Sequence, residues 1–227
     1  MFQHYTHPHV LNIVLHILAG SAGILAGLVA LVTSKGGRAH RRAGYTFIFA
    51  YAGVFVTAVL GVAVFEFRSF LTVATIASAY SVFSGYRALK LRGQRPQAVD
   101  RVGAAAGLAA PLLFLGLMHF THKPWSPALT WSVLGVLIAM SAYDLLRILL
   151  PLEWLRRVWV QEHLLKMINA LNALVSTFAA TVFPQYQPWA ALIPALVGTG
   201  VAIGFVVAGP RAWRPSSRRP GLKPTLT

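Results

Sequence analysis

Ionisable side chains that fall inside long apolar stretches are the residues of this chain best suited to chemistry. Asp144, His163 and Lys166 lie within such stretches, and His16 lies in another near the N-terminus. A titratable group at membrane depth is costly, so it usually faces the interior of a helix bundle and serves a function. These four residues are the first candidates for a functional site.

The elements that must position them are apolar segments, each close to the roughly 20 residues that a transmembrane helix needs. We identify seven: 10–32, 44–65, 70–89, 102–119, 128–150, 158–183 and 189–208. The chain is 56% hydrophobic and 11% charged, against about 25% charged residues in soluble domains. The sequence therefore predicts an all-α integral membrane bundle of seven transmembrane helices over residues 1–209, followed by a basic, proline-rich tail over 210–227.

The basic residues predict the orientation of this bundle. Of the 20 Lys and Arg residues, seventeen fall in alternate connections and the tail, two fall in the other connections, and Lys166 lies within a span. By the positive-inside rule this pattern puts the N-terminus outside and the C-terminus inside. An odd number of spans is required for that arrangement, and seven supplies it.

Histidines near the two ends of the predicted spans suggest a first function, the binding of haem b between helices. His16 and His119 lie near the outer ends of their spans, and His40 and His163 lie near the inner ends. Two imidazoles at matched depth on facing helices are a common way to hold haem. One pair in each leaflet would suit transmembrane electron transport.

A metal centre is a second interpretation of the histidines. The outer side carries an imidazole set that suits Zn or Cu, formed by His7, His9, His119 and His122. The chain has no cysteine, which excludes thiolate ligands, disulfides and covalently attached c-type haem.

A polar path for protons or a small solute is the alternative function. Its candidate residues lie in the inner half of the bundle and are Asp144, His163, Lys166 and Asn169. Titratable groups in series across a bundle are typical of transporters and proton relays. In a further alternative, the protein is an accessory subunit of a membrane complex, and Asp144 merely pairs with Lys166 or Arg147. The sequence does not decide whether the protein is an enzyme.

Small and polar residues indicate which helix faces pack. The first span carries one such face, made of Asn12, His16, Gly20, Gly23 and Gly27. Small residues let helix backbones approach closely in lipid, so we expect this face to point into the bundle. The sixth span carries the most polar stripe, which must face protein or water.

The net charge of +15 would suggest nucleic acid in a soluble protein. Here the basic residues sit in short clusters between apolar segments, which predicts contact with anionic lipids at the cytoplasmic face and no binding of nucleic acid. We expect the protein in the inner (plasma) membrane, with a membrane-protein partner or a second copy of the chain as possible companions.

The loop after the first span reads Lys-Gly…His-Arg-x-x-Gly-x-Tyr and resembles a family of predicted bacterial multi-span membrane proteins of unknown function. The residues that carry the resemblance are His16, Gly20, Gly27, Lys35, Gly36, His40, Arg41, Gly44 and Tyr45. A later segment resembles the polar sixth helix of that family, through Glu162, His163, Lys166, Met167, Asn169 and Asn172. The resemblance covers about residues 10–180 and implies a fold and a location. A histidine at a helix start with glycine four positions later is also similar to helices of two-haem b-type membrane cytochromes, which implies haem ligation by histidine.

Overall fold

The structure is a computed structural model that describes residues 6–65, 68–121 and 127–208. Within these ranges it forms seven helices and no strand. We number them α1 (His7–Val32), α2 (Arg38–Leu60), α3 (Ser69–Leu91), α4 (Ala98–Thr121), α5, α6 (Leu152–Val182) and α7 (Trp189–Ala208). Helix α5 is composite and consists of Pro127–Thr130, the π-helical turn Trp131–Gly135 and Val136–Leu146. A second π-helical turn, Gly61–Phe65, prolongs α2.

Five of these helices are long and apolar enough to cross a membrane, namely α1, α2 with its π-helical turn, α4, α6 and α7. The apolar part of α5, Trp131–Leu146, is shorter. Helix α3 is not among the five, and many of its residues, including Ser78, Ser81 and Ser84, are buried. A helix enclosed by other helices can carry polar side chains because its neighbours, not lipid, satisfy them.

Helices α1 and α2 form an antiparallel hairpin, and the predicted small face of α1 lies within the bundle. Near the start of α1, the Asn12 amide donates to the Thr57 carbonyl over 3.0 Å, and His16 Nδ1 lies 2.9 Å from Thr57 Oγ1. Further along, Gly27 is so close to α6 that a Cβ there would lie 2.6 Å from Leu171 Cδ1. The face therefore packs against both α2 and α6.

Helix α6 is the centre of the bundle, because it packs against α1, α3 and α7. Its Ala170 and Leu171 are buried in a cluster with Phe47 and Tyr51 of α2 and Val82 of α3. The position of α6 explains its mixed sequence. An enclosed helix can present polar side chains to one neighbour and apolar side chains to another.

The connections that carry most of the basic residues lie at one end of the bundle. Arg95, between α3 and α4, donates to the Ile148 carbonyl between α5 and α6 over 3.3 Å. In the α1–α2 connection, the Lys35 ammonium donates to the carbonyls of Ala30 and Leu31 at the end of α1. Partial burial of this ammonium lowers the pKa of Lys35.

Candidate functional site: a buried charge network

Four charged side chains are buried together where α5 and α6 meet. Asp144 lies in the last turn of α5 and Arg147 directly follows the helix, with 8% and 3% of their surface exposed. Glu162 and Lys166 stand one turn apart on α6, with 5% and 4% exposed. Two acids and two bases make the group formally neutral. We call these four residues the charge network.

The closest ion pair of the network joins Lys166 Nζ to Asp144 Oδ1 over 2.5 Å. The other carboxylate oxygen, Oδ2, accepts a hydrogen bond from Tyr80 over 2.7 Å and a second one from Ser84. Both oxygens of Asp144 thus have donors. A buried carboxylate without such partners would be strongly destabilising, because burial removes its hydration.

The second ion pair joins Arg147 Nη2 to Glu162 Oε2 over 3.0 Å. The hydroxyl of Tyr143 donates to the other oxygen, Glu162 Oε1, over 2.5 Å. Arg147 Nη1 also lies 3.9 Å from Asp144 Oδ1, which connects the two pairs. Arg147 Nη2 and Glu162 Oε2 are close enough for an ion pair but make no well-aligned hydrogen bond.

Helix α3 supplies the polar wall that faces the network, and its residues escaped the sequence prediction. Tyr80 and Ser84 stand one turn apart, on the side of α3 that meets Asp144. Between them in the sequence, Ser81 accepts a hydrogen bond from the Asn169 amide over 2.9 Å. Serine and tyrosine are ordinary residues in a helix. Only the spacing of Tyr80 and Ser84 opposite an acid could have indicated their role.

Two cavities lie near the network. A partly open cavity of about 70 Å³ is lined by α3, α5, α6 and α7, about one turn from Asp144 and Lys166. Its polar lining includes Asn169, Asn172 and Ser176. A much smaller one, of about 10 Å³, is lined by Asp144 and Arg147 of the network and by Tyr80, Ser84, Arg87 and Asp100, among others. The smaller cavity has room for roughly one water molecule.

An ion pair closes the side of the smaller cavity nearest the basic connections. Arg87 Nε lies 2.5 Å from Asp100 Oδ1, and Arg87 Nη2 donates to Asp100 Oδ2 over 2.9 Å. The backbone NH of Gln97 also donates to this carboxylate. The bidentate pair ties the end of α3 to the beginning of α4.

The residues predicted for a polar path lie along one region of the interface between α3, α5 and α6. They are Asp144, His163, Lys166 and Asn169. Asp144 and Lys166 touch directly, and Asn169 reaches Ser81. His163 does not join the charge network. Its Nδ1 lies 2.8 Å from the Gly85 carbonyl.

The inner histidines predicted for haem, His40 and His163, lie at the same end of the bundle. His40 Nδ1 lies 2.9 Å from the Ala30 carbonyl, and His163 Nδ1 lies 2.8 Å from the Gly85 carbonyl. A carbonyl can only accept, so Nδ1 carries a proton in both rings, and Nε2 is the nitrogen that a neutral ring would offer to a ligand. The structure thus holds each ring by one nitrogen on a separate backbone carbonyl and leaves the other nitrogen without a protein partner among the described residues.

The outer histidines are more scattered. His16 contacts Thr57 of α2, whereas His119 lies edge-on to Phe120 of its own helix at 5.9 Å between ring centres. No hydrogen bond or ring contact joins His16 to His119 in the described part of the chain.

The predicted outer metal site finds no support in the described ranges. They contain no group of three or more His, Cys, Asp or Glu side chains that could hold a metal ion. His9 instead stacks on Phe65, with 4.2 Å between ring centres, and His7 is exposed. His122 lies outside the described residues, so the complete predicted set is not tested.

Comparisons with protein-family models, with curated proteins and with solved structures found no match. The resemblance of the α1–α2 connection to a bacterial membrane-protein family therefore stays a prediction.

The hydroxyl of Tyr80 should contribute measurably to stability through its bond to Asp144. A hydrogen bond to a charged group contributes about 1.5–3 kcal/mol, so we expect Tyr80→Phe to lower the free energy of unfolding by about that amount. Titration with a denaturing detergent, followed by circular dichroism, measures this. Tyr86→Phe, on the same helix, is the matched control and should change stability by less than about 0.5 kcal/mol. Equal effects of the two variants would contradict the assigned bond.

Proposed function

We propose that this chain is a seven-span integral membrane protein that carries out proton-linked transport through the charge network. The N-terminus lies outside and the C-terminus inside, in the plasma membrane. The observation that carries the proposal is the buried Lys166–Asp144 pair, with Asp144 lining a small cavity and a larger cavity beginning about one turn away at Asn169. Buried ionisable residues in a membrane bundle generally mark such paths.

The polar groups form a sequence along the interface between α3, α5 and α6. From the end with the basic connections it runs from Asp100 and Arg87, past the charge network, to Asn169 and the larger cavity. Each step is a side chain that can donate, accept or carry a proton. A bundle held together only by apolar packing would have no need of such a series.

The distribution of basic residues supports seven spans and this orientation. Lys and Arg concentrate in the connections at one end of the bundle, which we assign to the cytoplasmic face. There they would contact anionic lipid headgroups. Helix α3 is less apolar than the other five helices, and α5 is shorter. Both would cross the membrane inside the bundle, where neighbouring helices screen them from lipid.

Labelling of single cysteines tests this topology, and the native chain has no cysteine that would interfere. We expect Arg41→Cys, Lys90→Cys and Arg156→Cys to react with a membrane-impermeant maleimide only after the membrane is permeabilised. Gln185→Cys, in the connection between α6 and α7, should react in intact cells. All four positions are exposed. Labelling of Gln185→Cys from the same side as Arg156→Cys would contradict an odd number of spans.

Proton flux into liposomes tests the transport function. The purified wild-type protein should dissipate an imposed pH gradient, read with an internal pH-sensitive dye, faster than protein-free liposomes. Asp144→Asn combined with Lys166→Met removes both charges of the central pair and leaves none unpaired. We expect this double variant to fold and to show only the rate of protein-free liposomes.

The matched control replaces one exposed base and one exposed acid, as Lys90→Met combined with Glu153→Gln. It should conduct protons like the wild type. If the double variant of the central pair also conducts like the wild type, the pair is structural, and an accessory role in a membrane complex becomes the better interpretation.

Haem b between His40 and His163 is the second candidate function. It is favoured by the two Nδ1 contacts to backbone carbonyls, which leave both Nε2 atoms available for iron. A visible spectrum of the purified protein tests it. Bound haem gives a Soret band that weakens in His163→Ala and persists in His119→Ala, whereas a colourless wild-type protein would rule this candidate out.

A further inference from the structure

The larger cavity has the size of a site for a very small molecule. Its volume is about 70 Å³, and a dry cavity of about 150 Å³ accommodates benzene, which has six heavy atoms. By that scale the cavity encloses roughly three heavy atoms, and because it is partly open, a fourth can extend beyond it. It lies within the bundle, on the side of Asn169 that faces away from the basic connections.

The amide groups of the cavity are held in a defined orientation. Asn169 Nδ2 donates to Ser81 Oγ, whose own proton goes to the Ala77 carbonyl over 2.8 Å. Asn172 Nδ2 donates to the Ala195 carbonyl of α7 over 3.0 Å. In both residues the nitrogen is thus engaged. The carbonyl oxygens Oδ1 have no protein donor among the described residues.

Ser176 adds an unsatisfied group to the same lining. Its hydroxyl oxygen is buried and has no hydrogen-bond partner in the part of the chain that the structure describes. Buried polar atoms nearly always have a partner, from protein, water or a ligand. Two acceptor oxygens and one hydroxyl around a single cavity call for an occupant that donates hydrogen bonds.

The charge of the occupant follows from the lining, which contains no charged side chain. An ion in an uncharged, largely apolar cavity would lose its hydration without a counter-charge. We propose that the cavity binds a small neutral solute of about four heavy atoms that donates hydrogen bonds, of the amide or urea class. The inference rests on the proposed transport function, because it identifies the class of solute that the proposed polar path would carry.

Saturation-transfer NMR on the protein in nanodiscs tests binding independently of transport. Acetamide and urea are the probes, and acetone is the isosteric control that has the same number of heavy atoms but no donor. Ligands of this size bind weakly, with dissociation constants in roughly the millimolar range. We expect saturation transfer from the protein to acetamide and to urea, and no saturation transfer to acetone. Equal transfer to acetone, or transfer to none of the probes because water alone fills the cavity, would overturn the proposal.

Two variants locate the binding in the cavity. A Cβ at Gly198 would lie 2.4 Å from Asn172 Oδ1, so Gly198→Ala must displace this amide and should abolish binding. Gly200→Ala, on the same helix, meets nothing within 4 Å and should bind acetamide like the wild type. Ser176→Ala, which removes only a hydroxyl, should weaken binding about three- to tenfold. Unchanged binding in both Gly198→Ala and Ser176→Ala would place the solute elsewhere and refute the site.

The binding experiment and the proton-flux measurement have independent outcomes, so each can reject its own proposal. Binding of acetamide without proton flux would retain the solute site and reject proton-linked transport. Proton flux without binding would retain the charge network as a relay and reject the solute class.

Discussion

The contact between Lys166 and Asp144 is the interaction on which the rest of the bundle depends. Neither charge can be buried alone, because the loss of hydration would outweigh any gain from packing. Placing them together requires α5 and α6 to meet at one depth, and it requires α3 to bring hydroxyl groups to the remaining carboxylate oxygen. The arrangement of the three central helices is thus set by the need to satisfy one acid and one base.

The charge network also explains why the helices of this protein differ so much in composition. Helix α7 is almost wholly apolar, whereas α3 and α6 carry most of the polar and charged groups of the core. Apolar helices can face lipid, and polar ones must be enclosed. The larger cavity lies among the amides and hydroxyls along α6.

Much of this arrangement could be predicted from the sequence, but only where a residue is unusual for its surroundings. An acid in an apolar segment is conspicuous, so Asp144 and its two possible partners, Lys166 and Arg147, emerged as candidates. The structure gives the close contact to Lys166 and leaves Arg147 at 3.9 Å, nearer to Glu162. Tyr80 and Ser84 could not be recognised, because nothing in their types distinguishes a donor to Asp144 from an ordinary helix residue. The cavity could not be predicted either, since it depends on the spacing of four helices and not on any one segment.

The central claim, that Lys166 and Asp144 stabilise the bundle as a pair, is tested most directly by a double-mutant cycle. The free energies of unfolding of the wild type, Asp144→Asn, Lys166→Met and the double variant are measured in detergent. Removal of one partner from a buried pair typically costs about 3–5 kcal/mol. We predict that each single variant is strongly destabilised and that the double variant recovers roughly 2–3 kcal/mol of the summed loss. Additivity within about 0.5 kcal/mol would show that the two side chains do not depend on each other, and would contradict the account.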